Sequence, residues 1–163
     1  MIYYWDIISH MQHKLDIMDR AILRLLQQDA TLSVDDVSGF VNLSRNACWR
    51  RIKAMEQAGI ITARVALIDP ARVGVPLTVM VMIRTNTHDA DWMTNFQTTL
   101  RGFPEVVGAY RMTGDLDYVL RVRVADVPAY DAFYKRLISR ISVSDISASF
   151  VMEEIKETTA VPL

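Results

Sequence analysis

The sequence predicts an α+β chain in two parts: an N-terminal helix-turn-helix domain, winged-helix-like, and then a ferredoxin-like βαββαβ domain. Three observations carry this expectation. Residues 33–61 read as two short capped helices joined at a tight turn. Between Ser44 and Lys53 there are four basic residues and no acidic one, although the whole chain has a formal charge of -1, so positive charge is focused on one helix. From residue 77 onward, apolar periodicity alternates in the order strand, helix, strand, strand, helix, strand.

The first helix is carried by Leu15, Met18, Ile22, Leu25 and Leu26, with Asp16 and Asp19 at its start, where the helix dipole favours negative charge. The second begins at Ser33 with Asp36 three residues on, a capping-box pattern, and Val37, Phe40 and Val41 form its expected apolar side. The turn is Val41-Asn42-Leu43. It needs one residue at positive φ, and Asn42 tolerates that region because its side chain is short and polar. Ser44 caps the third helix and Gly59 stops it. Cys48, Ile52 and Met55 share its inner face. Ser44, Arg45, Asn46, Trp49, Arg50, Arg51 and Lys53 form the candidate DNA-contacting set. A basic surface on an ordinary helical bundle is the alternative reading; an exposed tryptophan among arginines argues against it.

Residues 60–68 read as a strand leaving the helical domain, ended by Asp69-Pro70. In the second domain, strands are expected at 77–84, 106–112, 118–124 and 146–155, and helices at 91–100 and 127–141. Trp92, Phe96 and Leu100 mark the inner face of the first helix; Tyr130, Phe133, Tyr134, Leu137, Ile138 and Ile141 mark the second, with Asp126 as its cap and Pro128 in its first turn. Strand 77–84 is apolar on both sides, with Leu77, Val79, Val81 and Ile83 on one and Met80 and Met82 on the other. Both helices cover one sheet face, so a second subunit is the expected cover for the other, giving a dimer. The division expected is an extension over 1–14, the helix-turn-helix domain over 15–61, a linking strand and loop over 62–76, and the sensing domain over 77–163.

Composition narrows the class. An apolar content of 51% over 163 residues is enough for a real core and implies a subunit contact. No apolar run approaches the ~18 residues of a membrane span, and the first ten residues lack a basic n-region, so a cytoplasmic protein without membrane association is expected. The single cysteine, Cys48, reads as a small core residue. His10, His13 and His88 lack metal-site spacing, and no nucleophile–base pair, phosphate loop or metal cluster is present, so neither a metal, a catalytic residue nor an enzyme is expected.

Several long segments together resemble the Lrp/AsnC family of feast/famine regulators: LDIMDRAILRLLQQDATLS, NLSRNACWRRIKAMEQAGIITARVALIDPARVG, MTGDLDYVLRVRVADVPAYDAFYKRL and SFVMEEIKETTAVPL. The likeness implies a transcriptional regulator of amino-acid metabolism that binds double-stranded DNA, takes an amino-acid effector, needs no other cofactor, and forms dimers that assemble into octamers. It also implies an effector site at Met112, Thr113, Gly114, Asp115, Asp117 and Tyr118 on the turn after the second strand, with Ala148, Ser149 and Phe150 from the last. On residue type alone, Gly114 and Asp115 serve equally as hairpin formers. Two points depart from the family: Asn42 stands where Gly is frequent, and the ten-residue extension has no counterpart. The alternative function is a metabolite-binding regulatory or interaction subunit without functional DNA binding.

Overall fold

The computed structural model describes residues 14–87 and 89–163, which form two compact units. The expectations for residues 1–13 and for the three histidines fall outside the described residues.

The helical unit contains α1 (Ile17–Leu26), α2 (Val34–Phe40) and α3 (Arg45–Gln57). Each start is fixed by a side chain that accepts a bond from an otherwise unpaired backbone N–H: Asp16 from Asp19, Ser33 from Asp36, and Ser44 from Ala47. The first two are complete capping boxes. Asn42 lies at φ 52, the left-handed turn position expected of it. At the far end of α3, Gly59 at φ 69 lets the Ile60 N–H reach the Met55 carbonyl, a Schellman closure. Ile22, Leu23, Val37, Val41, Cys48, Ile52 and Met55 make the core.

Two expectations need correction here. Phe40 is not on the apolar side of α2; it is 66% exposed. The buried residues are Val37, Ser38 and Val41, and at ~100° per residue Phe40 projects well away from their shared direction. The strand expected over 60–68 does not form either. Ile60 and Ile61 pack on the helical core, but residues 62–69 join no strand among the described residues and leave Val65, Leu67 and Ile68 exposed. A lone extended segment has no ladder to join, so apolar composition alone cannot make it a strand.

Residues Glu157–Leu163 also belong to the helical unit. The Gln27 side-chain amide donates to the Val161 carbonyl and accepts from its N–H, both at 3.1 Å. The Arg24 guanidinium donates twice to the Leu163 carbonyl, and Leu163 packs against the core cluster.

The second unit runs β1 (Leu77–Arg84), α4 (Ala90–Arg101), β2 (Val106–Arg111), β3 (Tyr118–Val124), α5 (Val127–Ile138) and β4 (Asp145–Phe150). Its strands form one antiparallel sheet in the order β2-β3-β1-β4. Asp89 and Asp126 cap the helices. Val79, Val81 and Ile83 pair with Val122, Leu120 and Tyr118 of β3, and Phe96, Phe103, Phe133 and Leu137 cover them. The last strand ends at Phe150 rather than at residue 155; Met152 and Ile155 beyond it are 96% and 91% exposed. On the other sheet face, Met80 and Met82 are half-buried, and Glu154 accepts from Thr78 at 2.7 Å and pairs with Arg123 at 2.8 Å. Thr78, Arg123 and Glu154 thus place a specific polar cluster beside the methionines of this face.

Candidate nucleic-acid interface and effector region

Helix α3 presents its candidate residues in three different electrostatic states. Cys48, Ile52 and Met55 anchor its inner face, which turns Asn46, Trp49, Arg50 and Lys53 outward. Trp49 is 51% exposed. Among the described residues, Arg50 has no intramolecular ion pair, and no hydrogen bond draws it back to the protein. Arg45 and Lys53 are exposed but engaged: Arg45 pairs with Asp35 at 3.0 Å, and Lys53 with Glu56 at 2.7 Å. Such solvent-exposed pairs are worth about 0–1 kcal/mol, so either cation can be surrendered to a phosphate at small cost. Ser44 is occupied as the cap of α3.

Arg51 differs from its neighbours. It sits on the boundary of the inner face, one residue before Ile52 and three after Cys48, and reaches back to α1. One of its guanidinium nitrogens, Nη1, donates to Asp16 at 2.7 Å and to Asp19 at 2.8 Å. The Asp19 side chain is only 7% exposed. The bonds to Asp19 and then Asp16 hold the Arg51 guanidinium even more firmly protonated, and the bond from the Asp19 N–H, followed by that from Arg51, lowers the Asp16 carboxyl below its usual range. This residue clamps two helices together and is not an open cation of the arc.

The effector candidates are not gathered in one chain. The turn 112–117 joins the ends of β2 and β3; Gly114 adopts φ 98, and the Met112 N–H bonds the Asp117 carbonyl. Two groups outside the predicted set tie this turn to β1. Arg84 Nε donates to the Asp115 carbonyl at 2.8 Å, and Asp117 accepts from the Thr85 N–H at 2.8 Å. The Asp115 carboxylate is exposed. Tyr118 is buried under α4, 4.5 Å in ring separation from Phe96 and 5.7 Å from Trp92. Ala148 and Phe150 face the helix layer, Phe150 meeting Tyr130 edge-on, whereas Ser149 pairs with Met80 on the opposite face. Since β4 and β2 are opposite edges of the sheet, Ser149 and Asp115 come from separate regions of a single chain.

Comparison with known proteins matches this division of labour. Residues 15–62 match the winged helix-turn-helix DNA-binding model and residues 78–161 the Lrp/AsnC ligand binding domain. The transcriptional activator DecR of Escherichia coli is 47% identical over 150 residues, covering 91% of this chain and 99% of DecR. The glutamate uptake regulatory protein of Zymomonas mobilis is 47% identical over 153 residues, covering 94% of this chain and 93% of its own. Among solved structures, an AsnC family transcriptional regulator from Agrobacterium tumefaciens superimposes with a TM-score of 0.89 at 53% identity, covering 91% of this chain and 97% of that one. A Neisseria meningitidis transcriptional regulator in complex with L-Met follows at 0.87 and 35% identity, covering 91% and 96%. The chain belongs to the Lrp/AsnC family: it is a DNA-binding transcriptional regulator with a ligand-binding domain, and not an enzyme.

Proposed function

We propose that the protein acts in the cytoplasm as a regulator of amino-acid metabolism, reading DNA with α3 from two paired subunits and answering to a small amino acid. The observation that carries the DNA half is the outward arc of Asn46, Trp49 and Arg50, with Arg50 uncommitted among the described residues. These three reach base edges, while Ser44, Arg45 and Lys53 meet phosphates, the last two exchanging Asp35 and Glu56 for the backbone. Arg51 belongs to the clamp and contributes only by keeping α3 in place.

Half-buried Met80 and Met82, and the exposed apolar side chains of the linking segment, support a dimer that covers them; assembly into an octamer extends the same reading. The amino-acid effector then sits where subunits meet, with the turn 112–117 from one chain and Ser149 from another, and the exposed Asp115 carboxylate takes the ammonium group. The L-Met bound by the Neisseria relative supports this ligand class.

Fluorescence anisotropy with operator DNA over a salt series tests the assignment. Arg50→Ala should cost about 1–3 kcal/mol with relaxed preference at one position, whereas Lys53→Ala should weaken all sequences alike and lower the salt slope by about one. A folded Arg45, Arg50, Lys53 triple alanine variant that binds as well as the parent overturns it. Light scattering that shows a stable monomer at micromolar concentration overturns the dimer.

A further inference from the structure

A groove of about 390 Å³ lies between α4 and the outer edge of β2, complete within one chain. Its origin is a missing side chain. Ala109 pairs with Leu120 and so points to the helix-covered face, but a methyl group is too small to close the space between an edge strand and the helix, and Ala109 stays exposed. Phe96, Leu100, Val106 and Tyr118 give the groove an apolar lining. Arg101, from the last turn of α4, and Arg111, from the end of β2, give it charge. None of the lining residues is acidic, and neither arginine has an ion-pair partner among the described residues.

The helix runs antiparallel to β2 in this βαβ crossover, so the arginines stand at opposite ends of the groove. Between them the walls offer the Gln97 amide, with no carboxylate to neutralise a cation. We infer that this groove binds an apolar carboxylate that carries no ammonium group, such as an aryl-alkanoic or branched 2-oxo acid. A carboxylate gains charge-assisted bonds from either guanidinium. An α-ammonium on the same ligand would meet only like charge and lose water without a charged partner. The size fits: the space corresponds to roughly thirteen waters at ~30 Å³ each, enough for a ligand of about ten to fifteen heavy atoms. The groove borders the effector region, sharing the buried Tyr118 with that set, but none of the turn residues 112–117 lines it, and it does not depend on DNA binding.

Isothermal titration of the full-length protein with 3-phenylpropanoate, phenylalanine and phenethylamine tests this directly. Saturable binding of 3-phenylpropanoate is expected, with phenylalanine weaker by about tenfold or more and phenethylamine not bound. Arg101→Ala with Arg111→Ala should weaken the carboxylate by at least about tenfold; both positions are exposed, so the variant folds. Ala109→Leu, which fills the groove from the strand side, should abolish binding while leaving DNA affinity within about twofold of the parent. The inference is overturned by absence of 3-phenylpropanoate binding, by binding that survives both sets of substitutions, or by phenylalanine binding as tightly as 3-phenylpropanoate in a way that Ala109→Leu abolishes.

Discussion

Replacing Arg51 with alanine separates a structural cation from a DNA-reading one on the same helix. Arg51 bridges Asp16 and Asp19 across α1, with side-chain exposures of 33%, 50% and 7% for arginine and the two acids. Removing one partner of a fully buried ion pair costs about 3–5 kcal/mol, because a charge is left without compensation. Here the cost is reduced on two counts: the guanidinium is one-third exposed, and Asp19 keeps its bond from the Asp16 N–H at 3.1 Å. Arg51→Ala should therefore destabilise the helical unit by about 2–3 kcal/mol. Arg45→Ala, whose pair with Asp35 is 66% and 68% exposed, should cost at most about 0.5 kcal/mol. Lysine at position 51 keeps the charge but lacks the planar fork, and should recover part of the loss. Urea unfolding followed by circular dichroism gives both values, and a double-mutant cycle with Asp19→Ala isolates the coupling. Equal costs for Arg51→Ala and Arg45→Ala would refute the clamp. So would an Arg51→Ala variant of unchanged stability that lost DNA affinity as Arg50→Ala is expected to.

Acid should weaken the helical unit. Asp16 and Asp36 titrate below their ordinary 3.8 when folded, Asp16 through the Asp19 N–H and then Arg51, and Asp36 through the Ser33 hydroxyl and N–H. Above pH 3.8 both states are ionised and the stabilisation is complete; as pH falls through and below that value the unfolded chain takes up protons first, so the urea midpoint should fall there and stay flat near neutrality. Cys48 is fully buried, and burial raises its thiol above the ordinary 9.0. As the single cysteine, it should resist alkylation in the native protein and react at a rate set by opening of the helical unit, and rapid native labelling would contradict its place in that core. Asp117→Ala should cost about 1–2 kcal/mol in thermal or urea unfolding, since it strips the buried Thr85 N–H of its acceptor. Asp115→Asn should leave stability within about 0.5 kcal/mol yet abolish an amino-acid response; a normal response makes its carboxylate a turn former alone.

What could be read from the chain, and what could not, divides by sequence distance. The caps at Asp16, Ser33, Ser44 and Asp126 lie within three residues of the N–H groups they accept from, and the positive φ of Asn42 is a property of one residue in a short turn. Strand 118–124 declares itself by the alternation of Leu120, Val122 and Val124 with Arg121 and Arg123, which the structure returns as alternating burial. Arg51 could not be separated from Arg50 by such signals, because its partners lie 32 and 35 residues away and depend on how α1 crosses α3. A signal was nevertheless present: Asp16 and Asp19, three apart, share a helix face and together ask for a cation. The docking of Val161 and Leu163 on Gln27 and Arg24 spans 134 to 139 residues and leaves no trace in periodicity.

The sheet face away from the helices carries more chemistry than the inference of a covering subunit used. Strand β1 is apolar on both sides, which argues for a covering subunit, but its outer side also carries Thr78, and the structure supplies Glu154 to join Thr78 to Arg123. Arg123 is already 14% exposed in the single chain. A partner that covers this face therefore buries an arginine that is already largely desolvated and whose counter-charge, Glu154, is hydrogen-bonded by Thr78, which lowers the penalty that an isolated arginine would impose. The methionines beside it add apolar area with a side chain that adapts to an irregular opposing surface. In the proposed dimer, association through this face draws on Met80 and Met82 for its driving force, and on the Glu154 cluster for tolerance of charge. Glu154→Ala should then weaken self-association more than a substitution of Met80 by leucine, which conserves apolar volume, because the first leaves Arg123 to be buried without a counter-charge.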